Sequence, residues 1–199
     1  ARDLPPAGGR LGVSEPPTRT ANPLDELPGE LVMWVLIVSE LLVFGAALAA
    51  FLAVRATDPA GFAASQALLH REAGALNTLV LVTSGLFAAL AAEAALAERV
   101  WRTRGWLAGA VLLGGVFLAV KGAEYWAKAS AGIGTETHPF FTFYYLVTGF
   151  HAMHVVAGMI VLTLVAVRAR AAEVETGAAF WHMVDLVWVL LFPVIYLLG

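Results

Sequence analysis

The chain has 199 residues, 60% of them hydrophobic and only 14% charged, with a mean hydropathy of +0.79 and a formal net charge of −3. Soluble domains carry about 25% charged residues, so this surplus excludes an ordinary cytosolic enzyme and a disordered chain, and the acidic balance excludes a nucleic-acid binder. Cysteine is absent, which removes disulfides, thiolate catalysis, Cys-ligated zinc, iron–sulfur clusters and Cys-bridged copper from consideration.

Residues 1–29 contain Pro5, Pro6, Pro16, Pro17, Pro23 and Pro28 and no apolar run. That composition predicts a flexible tail. The rest, 30–199, is a membrane domain. A bilayer core of about 30 Å needs roughly 20 apolar residues per helix, and five segments supply them, near 31–54, 75–98, 106–127, 140–167 and 179–198. The runs are continuous and rich in Leu and Ala, without the alternation of barrel strands. The fold class is therefore an all-α integral membrane protein, a bundle of five transmembrane helices. Trp34, Trp101, Trp106, Trp126 and Trp181 fall near the predicted span ends, where interfacial anchors belong. Small residues four apart, such as Ala110 and Gly114, suit close helix packing.

With five spans, the tail and the loops near 99–105 and 168–177 share one side. They carry Arg2, Arg10, Arg19, Arg99, Arg102, Arg104, Arg168 and Arg170, against Arg55, Arg71 and Lys128 on the other. The positive-inside rule predicts a cytoplasmic N-terminus and an outside C-terminus. No internal repeat supports an inverted-repeat transporter.

Ionisable groups at membrane depth cost at least about 2.5–3.5 kcal/mol each, so each needs a partner or a purpose. Glu40 lies deep in the first span with no basic neighbour one turn away. It must find a partner on another helix or stay protonated, and depth counting points to His154 of the fourth span. Lys121 and Glu124, His151 and His154, and His182 and Asp185 are each spaced i, i+3, the spacing of one helix face. For the first and last of these pairs, a structural ion pair and a carboxylate-oriented imidazole are the plain readings. Glu93 and Glu98 sit close enough to a span end to reach water or to pair with Arg99 and Arg102. His151 and His154 read either as a buried polar network, as a proton-handling pair, or as metal ligands. The histidine supply argues against the last.

At these residues the sequence resembles subunit III of the haem-copper oxidase superfamily. Ser39–Glu40 in the first span, Leu76–Asn77–Thr78 opening the second, and Glu124–Tyr125 in the third match the family in order. The fourth span carries a Thr-Gly-x-His-x-x-His-Val-x-x-Gly signature from Thr148 to Gly158, and the fifth a Trp-His-x-Val-Asp-x-x-Trp segment from Trp181 to Trp188. The match runs from about 28 to 199 and starts at the third span of seven-span members. Among short five-span forms, Lys121 before Glu124 and the run 175–193 resemble the nitric-oxide-reductase-associated NorE proteins. Subunit III of a bacterial cytochrome c or quinol terminal oxidase is the alternative.

The resemblance implies a non-catalytic subunit that stabilises a haem-bearing catalytic membrane subunit and supports proton uptake or lipid order. Haem, with copper or iron, is expected in that partner and no cofactor or metal in this chain. Membrane lipids, including bound phospholipid, are its other partners, and the bacterial inner membrane its place. The residues agree independently. A haem-copper catalytic subunit needs axial haem ligands and further histidines for a second metal, and His151, His154 and His182 are too few. A small proton or solute transporter using Glu40 and the paired histidines remains the competing class, which uptake into liposomes would reveal.

Overall fold

The computed structural model describes residues 31–198. The predicted tail, 1–29, lies outside the described residues. Six α-helices follow in order: α1 (Leu31–Arg55), α2 (Pro59–Gln66), α3 (Arg71–Leu96), α4 (Val100–Ser130), α5 (Pro139–Arg168) and α6 (Ala171–Phe192), the last running into a π-helical turn, Pro193–Leu197. All except α2 are long and apolar enough to cross a membrane, α6 together with its π turn, and no strand occurs among the described residues.

Successive pairs α3–α4, α4–α5 and α5–α6 pack side by side, and α6 returns onto α3 to close a four-helix ring. Helix α1 leans on the outside of that ring, against α5 and α6. Its burial differs accordingly: only Phe44 and Phe51 of α1 are buried, whereas α6 buries eleven residues. Lipid tails are as apolar as leucine, so the ring is held by close packing and interhelical hydrogen bonds rather than by the hydrophobic effect.

The ring is filled in layers. Toward the α6 N-terminus, Trp181 is fully buried and donates its indole N–H to Ser84 Oγ at 3.1 Å, and Ser84 in turn donates to the Ala110 carbonyl at 2.8 Å. Gly114 and Gly158 make room for this indole: a Cβ at either would stand 2.8 or 2.6 Å from its ring carbons. The next layer stacks Trp188 on His151 at 5.2 Å between ring centroids, with Phe117 edge-on to both. Trp188 donates to Thr78 Oγ1 at 3.0 Å, and Asn77 donates to the Phe117 carbonyl at 3.2 Å. Residues of the sequence motifs thus serve as the cross-ties of the ring.

Several sequence expectations change. Trp181 is no interfacial anchor but a core residue, because its N–H has a partner on α3. Trp101 and Trp126 remain exposed, at 83% and 78%. Helix α4 starts at Val100, six residues before the predicted span, so Arg102, Thr103 and Arg104 are helical and Thr103 is buried. The turn before it is short: Glu98 takes a left-handed φ of 55°, and Arg99 N–H closes onto the Ala94 carbonyl. A second such residue, Ala169 at φ 53°, ends α5 before α6 begins at Ala171. Glu93 and Glu98 form no ion pair with Arg99 or Arg102 among the described residues.

Cations from other elements satisfy carbonyls at several helix ends. Arg104 donates to the Ala166 and Val167 carbonyls at the end of α5, at 3.0 and 2.7 Å. Lys128 donates to the Leu68 carbonyl beyond α2, and Arg55 to the Leu198 carbonyl after the π turn. Gln66 reaches the Ile195 carbonyl at 2.8 Å.

Candidate functional site

The ionisable residues singled out in the sequence fall into three separate places. The first is inside the ring, between α4, α5 and the π turn. Lys121 is 2% exposed, and its ammonium donates to Glu124 Oε2 at 2.9 Å, Tyr196 OH at 2.8 Å and Tyr144 OH at 3.1 Å. These acceptors use all three of its hydrogens. Tyr196 passes its own hydrogen to the Glu124 carboxylate, at 2.9 and 3.0 Å from the two oxygens. Rings of Tyr125, Tyr144, Trp188 and Tyr196 surround the ammonium at 4.7–5.6 Å from their centroids, a cation–π enclosure. The charge pair is complete and closed to solvent. Tyr144 and Tyr196 escaped sequence reasoning, because a tyrosine within an apolar run reads as core; a hydroxyl at membrane depth was the usable signal.

The second place is the outer edge, where α1 meets α5. Glu40 Oε2 stands 3.1 Å from His154 Nε2. The depth argument from the sequence brings these residues together, though Glu40 is half-buried rather than buried, with 21% of its side chain exposed. Phe44, one turn along α1, packs edge-on against His154 at 5.4 Å and against His151 at 6.2 Å. His154 Nδ1 lies 2.9 Å from the Phe150 carbonyl. A carbonyl only accepts, so Nδ1 carries a hydrogen and Nε2 faces the carboxyl. The approach is off the line of a well-directed hydrogen bond, and Glu40 Oε2 has no other partner. The pair is a close approach of 3.1 Å between α1 and α5.

The two histidines of the fourth-span motif have different fates. His151 is fully buried in the ring, and the described residues give neither of its ring nitrogens a hydrogen-bond partner. It does not join His154 in one polar network. An i, i+3 step turns about 60° around a helix, enough here to send one ring inward and the other to α1.

The third place is on α6. Asp185 is buried against Gly85 of α3, where an added Cβ would collide with its carboxylate. His182 Nδ1 stands 3.8 Å from Asp185 Oδ2, too far for a hydrogen bond, and His182 itself is exposed in a cleft of about 330 Å³ between α1 and α3. Met33, Ile37, Ala89, Ala92 and Ala178 form the apolar walls of this cleft. Among the described residues no three His, Asp or Glu side chains converge as metal ligands would.

The profile of the family described as "Cytochrome c oxidase subunit III" matches residues 29–199. Relatives include a "Heme-copper oxidase subunit I+III" of Aeropyrum pernix, 31% identical over 180 residues that span 83% of this chain and 22% of that protein. A "Cytochrome c oxidase subunit 3" of Thermostichus vulcanus is 30% identical over 84% of this chain and 86% of its own length. A "Probable cytochrome c oxidase subunit 3" of Nocardia farcinica is 28% identical over 83% of this chain and 84% of its own length.

Proposed function

Because the chain belongs to the cytochrome c oxidase subunit III family, we propose that it is the subunit III of a haem-copper oxidase, an accessory membrane subunit that packs beside a haem-bearing catalytic subunit. The observation that carries this is the match of the whole described domain to that family, joined to a relative whose name combines subunits I and III. The internal chemistry supports it. The most deeply enclosed charge pair, Lys121–Glu124, is spent on neighbouring side chains and leaves nothing free to act on a substrate. Haem and its accompanying metal belong to the partner. Glu40 and His154 are the residues through which this chain would influence proton uptake, since an acid and an imidazole stand 3.1 Å apart at the half-buried edge of the bundle.

A finer reading sets the chain beside nitric oxide reductase, as a NorE-like protein, on the strength of Lys121 before Glu124 and the run 175–193. The relatives named above carry the oxidase name, which favours the oxidase. Purification in mild detergent, with haem spectroscopy and oxygen and nitric oxide turnover of the complex, separates the two. A haem-bearing partner that consumes oxygen is expected. Purification of the chain alone, with no haem protein under any detergent, would remove the subunit reading.

The cytoplasmic N-terminus is part of this proposal, and the helix caps sharpen it. Arg104, Arg55 and Lys128 are engaged at helix ends. That leaves Arg99, Arg102, Arg168 and Arg170 on the face holding the α1 N-terminus, and Arg71 on the other, among the described residues. Cysteines at the exposed positions Arg102 and Thr135 should react from opposite sides of sealed vesicles, Arg102 from the cytoplasm. The buried Thr103 would be a poor reporter. Labelling of both from one side would mean that the span parity is wrong.

A further inference from the structure

Away from the three intramembrane places, on the face where α1 ends and α5 begins, one imidazole joins two helix starts. His138 is the N-cap of α5, and its Nδ1 accepts the Phe140 N–H at 3.1 Å. Its other nitrogen, Nε2, stands 3.2 Å from Asp58 Oδ2. Asp58 is itself the N-cap of α2 and accepts the Gly61 N–H at 3.0 Å through Oδ1. A backbone N–H only donates, so Nδ1 must present a lone pair and the ring hydrogen must sit on Nε2, pointing at Asp58. Only one neutral tautomer fits both contacts.

The surroundings are built for this arrangement. A Cβ at Gly61 would collide with Asp58 Oδ2 and come within 2.9 Å of His138 Nε2, so the glycine lets the carboxylate reach both donors. Phe62 of α2, itself buried, meets the His138 ring edge-on at 5.3 Å and ties it to Phe51 and Phe140. Residue 139 is proline and has no N–H, while the Phe141 and Thr142 N–H groups already reach the His138 carbonyl. The Phe140 N–H therefore depends on the imidazole alone.

We infer that His138 is a proton-operated clasp: neutral, it caps α5 while holding Asp58 of the α1–α2 corner, and protonated on Nδ1 it gives up the Phe140 cap alone. The added hydrogen would face the Phe140 N–H, converting an acceptor into a second donor. It would also set a positive charge at the positive end of the α5 dipole. From the α1–α2 corner, Asp58 is the charged group in contact with the ring. From α2 the ring meets Phe62, and from α5 the Phe140 amide. Arg55 is turned to the Leu198 carbonyl, and Glu136 forms no ion pair among the described residues. Protonation therefore breaks the Phe140 half of the clasp while Asp58 keeps the ring, and the loop 131–138 stays tied to α5 through the His138, Thr135 and Ile133 carbonyls.

The test is nitrogen-15 NMR and amide hydrogen exchange on the full chain in nanodiscs across the titration of His138. The ring should be the Nε2–H tautomer when neutral. Exchange at Phe140, corrected for its intrinsic pH dependence, should quicken about fivefold as the ring protonates, the factor given by losing a helix cap worth about 1 kcal/mol. In His138→Asn, which caps without titrating, Phe140 should stay protected throughout. An Nδ1–H tautomer in the neutral wild-type ring would overturn the clasp whether or not the variant folds. So would Phe140 protection that ignores ring protonation, or a pH dependence that survives in His138→Asn.

Discussion

Lys121–Glu124 and Glu40–His154 each set a base against an acid within the apolar length of a helix, yet they are built in opposite ways. Around Lys121 every donor is used, tyrosines from α5 and the π turn close the shell, and the side chains of Lys121 and Glu124 are 2% and 3% exposed. Around Glu40 one polar contact, beside the packing of Phe44, links α1 to the ring, with 14% and 21% of the two side chains exposed. Buried charge is tolerated only when paired and hydrogen-bonded, so the first site is locked by its own satisfaction. The second is one half-buried approach at the edge, outside the ring. The cost of an ion pair in a membrane thus separates a closed fastening from an edge contact.

The largest test of this contrast is Lys121→Met. It leaves the Glu124 carboxyl enclosed with fewer donors, and should destabilise the folded bundle by about 3–5 kcal/mol, read as unfolding of the detergent-purified protein. The double change Lys121→Met with Glu124→Gln should recover much of that loss, because no unpaired charge remains. If the single change unfolds no more easily than the double, the closed pair is not the fastening described here. Next is Tyr196→Phe, which deletes a hydroxyl serving both partners and should cost about 1–3 kcal/mol in the same measurement. An unchanged midpoint would show that the Tyr196 hydroxyl contributes no tie.

At the edge, Glu40→Ala should weaken retention of the catalytic partner, by roughly 1–2 kcal/mol for a partly buried polar contact, while the ring itself stays folded. Glu40→Gln should retain the partner; slowed turnover of that complex would mark Glu40 as handling protons. A carbodiimide, which attacks protonated carboxyls, should label Glu40 and spare Glu124. Equal labelling of both would erase the distinction. The smallest expected effect lies outside the membrane, at Asp58. The Gly61 N–H first, and His138 second, hold its carboxyl below the ordinary 3.8. Its stabilising contribution is therefore full above 3.8 and fades as pH falls through the lower folded-state value. Asp58→Asn should flatten the acid end of a stability–pH curve, and an identical curve would deny Asp58 that role.

Much of this was legible in the sequence for identifiable reasons. Continuous apolar runs gave the five long helices, and rise per residue brought Glu40 to the depth of His154. Spacing alone paired Lys121 with Glu124. Helix ends were less legible, since α3 and α5 stop at Glu98 and Ala169 in left-handed conformations without the glycine that usually signals such a cap. The start of α4 was hidden by Arg102 and Arg104, which read as loop until Arg104 is seen to cap α5. Helix α2 was too short and weakly apolar to register as an element. The placement of Trp181 needed tertiary knowledge, because only the Ser84 hydroxyl distinguishes a core indole from an interfacial one.

The π turn also orders events during biogenesis. Tyr196, which completes the shell around Lys121, follows it by 75 residues. At about 5–20 residues per second, that interval is roughly 4–15 s of synthesis. For those seconds α4 must hold an ammonium and a carboxylate whose final hydroxyl partner has not yet been made. Their i, i+3 spacing lets them neutralise one another within a single helix. The nascent helix can thus leave the translocon with its central charges neutralised and wait in lipid for the closing segment to arrive.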